Sequence, residues 1–138
     1  MTGSRFGRNQ RILKRSEFRL ILNSGVRVTT THCVFVIASR QPESVEKLEP
    51  RLGLVVSRKV GNAVLRNRFK RLAREVFRKS TAVWPCDAEI VVIARRWTIA
   101  AREQALAEEW HGARERIVAA VDRHRKKRLA SAPQGAPC

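Results

Sequence analysis

The stretch VVSRKVGNAVLRNRFKRLAREVF, residues 55–77, decides how the rest of the chain is read. It opens with β-branched apolar residues, breaks at Val60 and Gly61, and continues with apolar residues at helical spacing. Asn62 suits the helix N-cap, because its side-chain oxygen can accept from an orphan N–H of the first turn. With Phe69 at the centre of the buried side, an advance of about 100° per residue brings Leu65, Leu72, Ala73, Val76 and Phe77 within about 80° of it. Asn67, Arg71, Arg74 and Arg78 gather at the opposite pole, and Arg66, Arg68 and Lys70 flank the boundary. Nine basic residues lie between Arg58 and Lys79 against one acid, Glu75. A helix face that is only solvated usually alternates the two signs and gains i,i+4 pairs. This face does not, so it reads as a surface for a polyanion.

On the N-terminal side of the helix, residues 51–57 (RLGLVVS) are apolar on both faces, as expected of a central strand. Beyond it, residues 88–94 (AEIVVIA) form another apolar strand. The helical connection between the two has the length of a β-α-β unit, which predicts parallel strands. Residues 32–40 (HCVFVIASR) predict a largely covered strand and residues 26–30 a short one. Between residues 41 and 50, Pro42, Pro50, Glu43, Glu46 and Glu49 predict a polar hairpin loop that is too acidic to touch nucleic acid. Ser16 is a candidate cap for a first helix closing at Gly25, a residue suited to a left-handed C′ position. On that helix Phe18, Ile21 and Leu22 share one side and Arg15 and Arg19 another. A last helix is expected from Trp97 and Thr98, with Leu106, Trp110, Ala113, Ile117 and Val121 recurring on the face that packs on the sheet.

A length of 138 residues and an apolar fraction of 43% suit one domain with one core. We divide the chain into a basic arm, residues 1–15, a single α/β domain, residues 16–124, and a tail, residues 125–138, basic and then disordered. The arm reads either as a solvated tail or as a basic arm lying along a phosphate backbone. A formal charge of +17 opposes compaction unless a polyanion neutralises it, which points to nucleic acid first and an anionic membrane surface second. No run of about 18 apolar residues is present, and no apolar segment with a cleavage site follows the basic N-terminus. The three cysteines, Cys33, Cys86 and Cys138, are distant and odd in number, which suits a reducing cytoplasm rather than a disulfide framework.

Signatures of protein catalysis are missing. Asp87 and Glu89 read as solvated acids at a strand end, and Cys33 and Cys86 as buried thiols. His32, His111 and His124 have no cysteine or carboxylate at metal-ligand spacing. No phosphate-binding glycine loop follows the strand of residues 51–57. Taken alone, the chain does not read as a catalyst.

Residues 57–74, SRKVGNAVLRNRFKRLAR, closely resemble the protein subunit of bacterial ribonuclease P, through Arg66-Asn67-Arg68 followed by Lys70, Arg71 and Arg74. The Gly61-Asn62 turn, the strand RLGLVVS, the first helix with Phe18 and Gly25, and EIVVIAR also fit, so the resemblance spans residues 8–120. It implies an α+β two-layer sandwich in the order α-β-β-β-α-β-α. The four-stranded sheet would carry a left-handed β-α-β crossover, against the usual hand, as in the second domain of a small-subunit ribosomal protein. It implies a partner in a large catalytic RNA, and a substrate in precursor tRNA whose 5′ leader is removed by magnesium-dependent hydrolysis at the RNA. Arg66, Asn67, Arg68, Lys70, Arg71 and Arg74 match the family's RNA-docking helix, where guanidinium groups suit bidentate phosphate contacts. Phe18 and Phe35 would line the leader cleft as stacking platforms, with Ser57, Arg58 and Lys59 adding polar and cationic contacts. Leu22, also of the cleft, stands where many members carry a second aromatic, which shifts leader recognition toward charge. The resemblance further implies a protein that is monomeric alone, cytoplasmic and not bound to a membrane.

The alternative is a ribosome-associated or general RNA-binding protein without a nuclease role, which would share the charge but not the Arg-Asn-Arg helix. A helix-turn-helix DNA reader is excluded, because the basic helix follows a strand and not a second helix.

Overall fold

Alternation along the strands sorts this chain into two unequal cores. The computed structural model describes residues 10–40, 49–80, 84–95 and 103–131. Its elements are α1 (Arg15–Ser24), β1 (Val26–Thr29), β2 (Cys33–Ser39), β3 (Arg51–Val55), α2 (Ala63–Lys79), β4 (Ala88–Ala94), α3 (Glu103–Gly112) and α4 (Arg114–Ser131). The strands form one mixed sheet in the order β1-β2-β4-β3, with β3 parallel to β4 and the other pairs antiparallel. This is the α+β fold expected, including the parallel pair joined by the basic helix. The expectations for residues 1–9, for residues 41–48 of the acidic loop, for the helix start at Trp97 and Thr98 and for the tail from residue 132 lie outside the described residues.

Register fixes which side each strand residue serves. Phe35 lies opposite Val92, Ile37 opposite Ile90, and Leu52 beside Ile90. With Val28 they pack against Phe69, Ala73, Val76 and Phe77 of α2, Leu106 and Trp110 of α3, and Ile117 and Val121 of α4. This is the larger core, and the Phe35 and Trp110 rings meet edge to face with centroids 5.4 Å apart. Val36, Ala38 and Val91 point the other way, where Ile12 and Ile21 cover them in a smaller core edged by Phe18 and Leu22. The sheet and α2–α4 are therefore the two main layers, and among the described residues α1 and Ile12 just before it cover the second face.

Several local expectations are corrected. Residues 51–57 do not form a central strand: β3 ends the sheet, and the interior positions belong to β2 and β4. β3 is apolar on both faces because α1 covers one and the larger core the other. Its open edge is partly satisfied, since the Ile12 N–H donates to the Leu52 carbonyl at 3.0 Å and Arg11 bridges Leu52 in parallel. Nor is the connection across residues 41–50 a hairpin, because β4 lies between β2 and β3.

The first helix starts at Arg15 rather than being capped by Ser16, and the Lys14 N–H donates to Glu17 Oε1 at 3.4 Å. Gly25 closes it in extended geometry, φ −74° and ψ 161°, not left-handed. Packing demands that glycine, since a Cβ would come within 2.6 Å of both the Ile21 carbonyl and Val36. The single last helix becomes two, turning at Ala113, whose N–H reaches both the Glu109 and Trp110 carbonyls at 3.1 Å. Gly112, a weak helix former with open space beside it, sits at the break. The apolar face survives the turn, and Leu106, Trp110, Ala113, Ile117 and Val121 are all buried. Cys33 is buried as expected, and burial pushes its thiol up to about 12. Cys86 is exposed instead, on the turn just before β4.

Candidate nucleic-acid interface

The basic helix is held from both ends and along one side. Asn62 caps it as expected, with Oδ1 accepting from the Leu65 N–H at 3.0 Å. At the other end the Ser80 N–H donates to the Phe77 carbonyl. Phe69, Ala73, Val76 and Phe77 are buried, and Leu65 and Leu72 are half-buried beside them. What this anchoring leaves outside is cationic. Asn67, Arg68 and Arg71 are exposed, whereas Arg66, Lys70 and Arg74 are half-buried along the flanks. Glu75, the only acid on the helix, is taken by Arg78 at 2.7 Å and Lys79 at 4.0 Å. Among the described residues no carboxylate pairs with Arg66, Arg68, Lys70, Arg71 or Arg74. The Arg66 Nε is buried without a hydrogen-bond partner. Burial, reinforced by the like charge of Arg11, lowers the pKa of Arg74. Such an array costs self-repulsion in the free protein and is relieved by an anion.

A second surface lies on the α1 side of the sheet. The Phe18 ring rests on Gly53, where a Cβ would stand 2.6 Å from its Cε1, so the glycine admits the ring. Phe18 and Leu22 are half-buried and border Val55 and Ile93, which are also half-buried. Val34 stands opposite Ile93, and Val55 pairs with Ile93 from the other side. These residues make an apolar groove beside α1. At about 100° per residue, Arg15 and Arg19 lie further round α1 than Phe18 and Leu22, at the outer rim of the groove, and both are exposed. Ser57, Arg58 and Lys59 follow β3 after Val56 and are exposed at the end where Val55 and Ile93 lie.

Phe35 does not join this surface. It is 0% exposed and belongs to the opposite face, against Trp110, because β2 turns odd and even residues to different sides. Val34 occupies the groove position that Phe35 was expected to fill. Sequence reasoning also missed Val55 and Ile93. Strand alternation counted from the β2–β4 pairing is the signal that finds all three.

Away from these two surfaces, some arginines are paired with acids. Arg51 holds both Glu17 oxygens at 2.9 Å and Glu89 at 3.0 Å, tying β3 to α1 and β4. The hydrogen bond from Arg51 holds the Glu17 carboxyl below its usual range, whereas burial raises that of Glu89. Arg125 grips Asp87 through two bonds of 2.8 and 2.7 Å. Asp87 and Glu89 are thus buried or half-buried partners of arginine rather than solvated strand-end acids. Glu109 accepts from the His32 N–H at 2.9 Å and from the Thr30 hydroxyl, anchoring α3 to the turn between β1 and β2. Burial pushes the Glu109 carboxyl up, but the bonds from Thr30 and His32 outweigh it and hold the pKa down.

A mixed sheet carrying a strongly cationic helix with a single acid on one side and an apolar, arginine-rimmed groove on the other defines an RNA-binding α+β protein. A family model described as Ribonuclease P matches residues 6–118. The ribonuclease P protein component of Geotalea uraniireducens is 34% identical over 112 residues, covering 81% of this chain and 94% of that protein. That of Desulfovibrio desulfuricans is 43% identical over 90 residues, 64% of this chain and 66% of the relative. Among solved structures, the RNase P protein from Thermotoga maritima aligns with a TM-score of 0.67 and 31% identity, covering 78% of this chain and 96% of that one. The Staphylococcus aureus RNase P protein aligns at 0.65 and 31%, covering 75% and 90%. The chain belongs to the ribonuclease P protein family. It is the protein part of a tRNA-processing endoribonuclease whose holoenzyme includes an RNA.

Proposed function

We propose that the two surfaces divide the work of the holoenzyme. The outer side of α2, with Arg66, Asn67, Arg68, Lys70, Arg71 and Arg74, docks on the catalytic RNA subunit. Its guanidinium groups pair with phosphates that would otherwise repel one another. The groove beside α1 grips the single-stranded 5′ leader of precursor tRNA. Phe18 serves as a base platform, Leu22, Val34, Val55 and Ile93 as apolar wall, and Ser57, Arg58 and Lys59 as polar and cationic contacts.

The observation that supports this division best is electrostatic. The fold pairs Arg51 and Arg125 with acids and leaves the α2 arginines of the Arg-Asn-Arg run without any among the described residues. In this reading magnesium is held chiefly by the RNA, and the protein lowers the concentration the RNA needs by neutralising phosphate charge. Among the described residues no group of three or more His, Cys, Asp or Glu stands together to hold a metal ion. The protein acts as a monomer in the cytoplasm, a compartment that suits the free thiols of Cys33 and Cys86.

Reconstitution with a bacterial ribonuclease P RNA at low magnesium tests the reading, with precursor tRNA carrying or lacking a leader. The protein is expected to raise cleavage of the leader-bearing substrate selectively. An equal gain for both substrates would contradict leader recognition, and no gain would contradict the cofactor role.

A further inference from the structure

Helix α1 divides its face of the sheet in two, and the side away from the groove is also built. With Ile21 pointing at the sheet, Phe18 and Leu22 turn to one side and Leu20 and Ser24 to the other, at about 100° per residue. On the second side lies a cavity of about 400 Å³ between α1, the end of β2 and the last turns of α4. That volume lies in the range of sites that hold a small organic ligand. His124, Lys127 and Arg128, which close it, lie beyond residue 118, where the family match ends.

Its walls separate two chemistries. Leu20, Ile21 and Ala38 make an apolar side, and Leu20 is 67% exposed although most large apolar residues here are buried. Arg40, Lys127 and Arg128 bring positive charge to the rim. Among the described residues Glu89 is the one acid lining it, and Arg51 already holds that carboxylate at 3.0 Å. Arg40 donates from Nη2 to the Glu49 carbonyl at 3.1 Å, while its Nε is buried without a partner among the described residues. His124 accepts the Ser39 N–H on Nδ1 at 2.9 Å, so the ring proton of the neutral form resides on Nε2 as a donor. Burial and the charges of Arg128 and Lys127 lower the pKa of that ring.

We propose that this cavity takes one nucleotide of the precursor leader, distal to the groove. Its base lies against Leu20, Ile21 and Ala38, and its phosphate against Arg40, Lys127 and Arg128. The inference rests on the leader reading above. It favours the leader over the catalytic RNA because α1, Ala38 and Glu89 put one wall of the cavity on the face of the sheet that carries the groove, with the last turns of α4 reaching in from the other layer, whereas α2 packs on the opposite face. Glu89 at the cavity and Ile93 at the groove are four residues apart on β4, about 13 Å at the rise of a strand. Only a leader long enough to cross α1 reaches both.

The test uses reconstituted holoenzyme and precursor tRNAs whose leader grows one nucleotide at a time, with Lys127→Glu and Leu20→Asp as variants at exposed positions. Wild-type affinity is expected to rise in two steps, the second of about tenfold as the base and phosphate seat. Each variant is expected to remove the second step, keep the first and leave melting unchanged, while Phe18→Ala removes the first. A single step in the wild type, or a second step that survives both variants, overturns the proposal. So do variants that weaken assembly with the RNA instead, since the cavity would then face the catalytic RNA. Absence of any leader-dependent gain overturns the underlying leader reading together with it.

Discussion

On the outer side of α2, five cations stand without a carboxylate among the described residues, whereas Arg51 on β3 and Arg125 on α4 each hold carboxylates through short bonds. The two regions use the same residue type for opposite ends. At these two positions arginine is half-buried and multiply bonded, and its role is to join segments distant in sequence: Arg51 links β3, α1 and β4, and Arg125 links α4 to the start of β4. On α2 the acids that would normally offset such charge are missing, so the cost of repulsion persists until a polyanion arrives. A protein with 29 basic and 12 acidic residues has acids to spend in few places, and here they secure the fold.

The comparison can be broken from either side. Replacing Arg66, Arg68 and Arg71 together with alanine is expected to weaken holoenzyme assembly by about a hundredfold or more at fixed salt. The urea midpoint of the free protein should hold or rise slightly, because like charges have been removed. A fall in stability of the same size would mean that these arginines are structural. The reverse substitution is Arg51→Met, which leaves Glu17 and Glu89 without their partner. It is expected to cost about 2 kcal/mol by urea denaturation, at the low end for a buried pair because Glu17 is partly solvated. RNA affinity of the folded protein should change less than twofold.

A smaller effect separates the groove from α2. Phe18→Ala is expected to weaken binding of leader-bearing precursor by about tenfold, through loss of one stacking platform, and to leave assembly unchanged. Equal loss in both assays would refute two surfaces. The smallest effect concerns pH. The folded pKa of His124 is lowered by burial and by Arg128 and Lys127, so as pH falls below about 6.5 the unfolded chain takes up the proton first. The contribution is thus fully present above that value and is lost as pH falls through the lowered folded pKa. Protonation also breaks the Ser39 bond to Nδ1. His124→Asn is expected to flatten the dependence of melting temperature on pH between 7.5 and 5.5.

Much of the α2 side was legible because a helix carries both its anchor and its outward face in one continuous stretch. Phe69, Ala73, Val76 and Phe77 are buried and Asn67 and Arg71 exposed, as their spacing predicts. The sheet was less legible, since pairing joins residues far apart. Nothing local in residues 51–57 says that β4 will slot between β2 and β3, so an edge strand covered on both faces looks central. The same lack of register put Phe35 in the groove, whereas one step along β2 sends it to the Trp110 side. The partners of Asp87 and Glu89, 38 residues away in each case, were hidden for the same reason. The family resemblance supplied the fold that local pattern could not.

The salt dependence of assembly with ribonuclease P RNA tests the central claim most directly. If the unpaired α2 cations neutralise phosphates, the wild type should show a steep linear fall of log affinity with log salt. The Arg66→Ala, Arg68→Ala, Arg71→Ala variant should then have a slope shallower by about two to three. Parallel lines for the two proteins would contradict it, because those three charges would then displace no counterions from RNA.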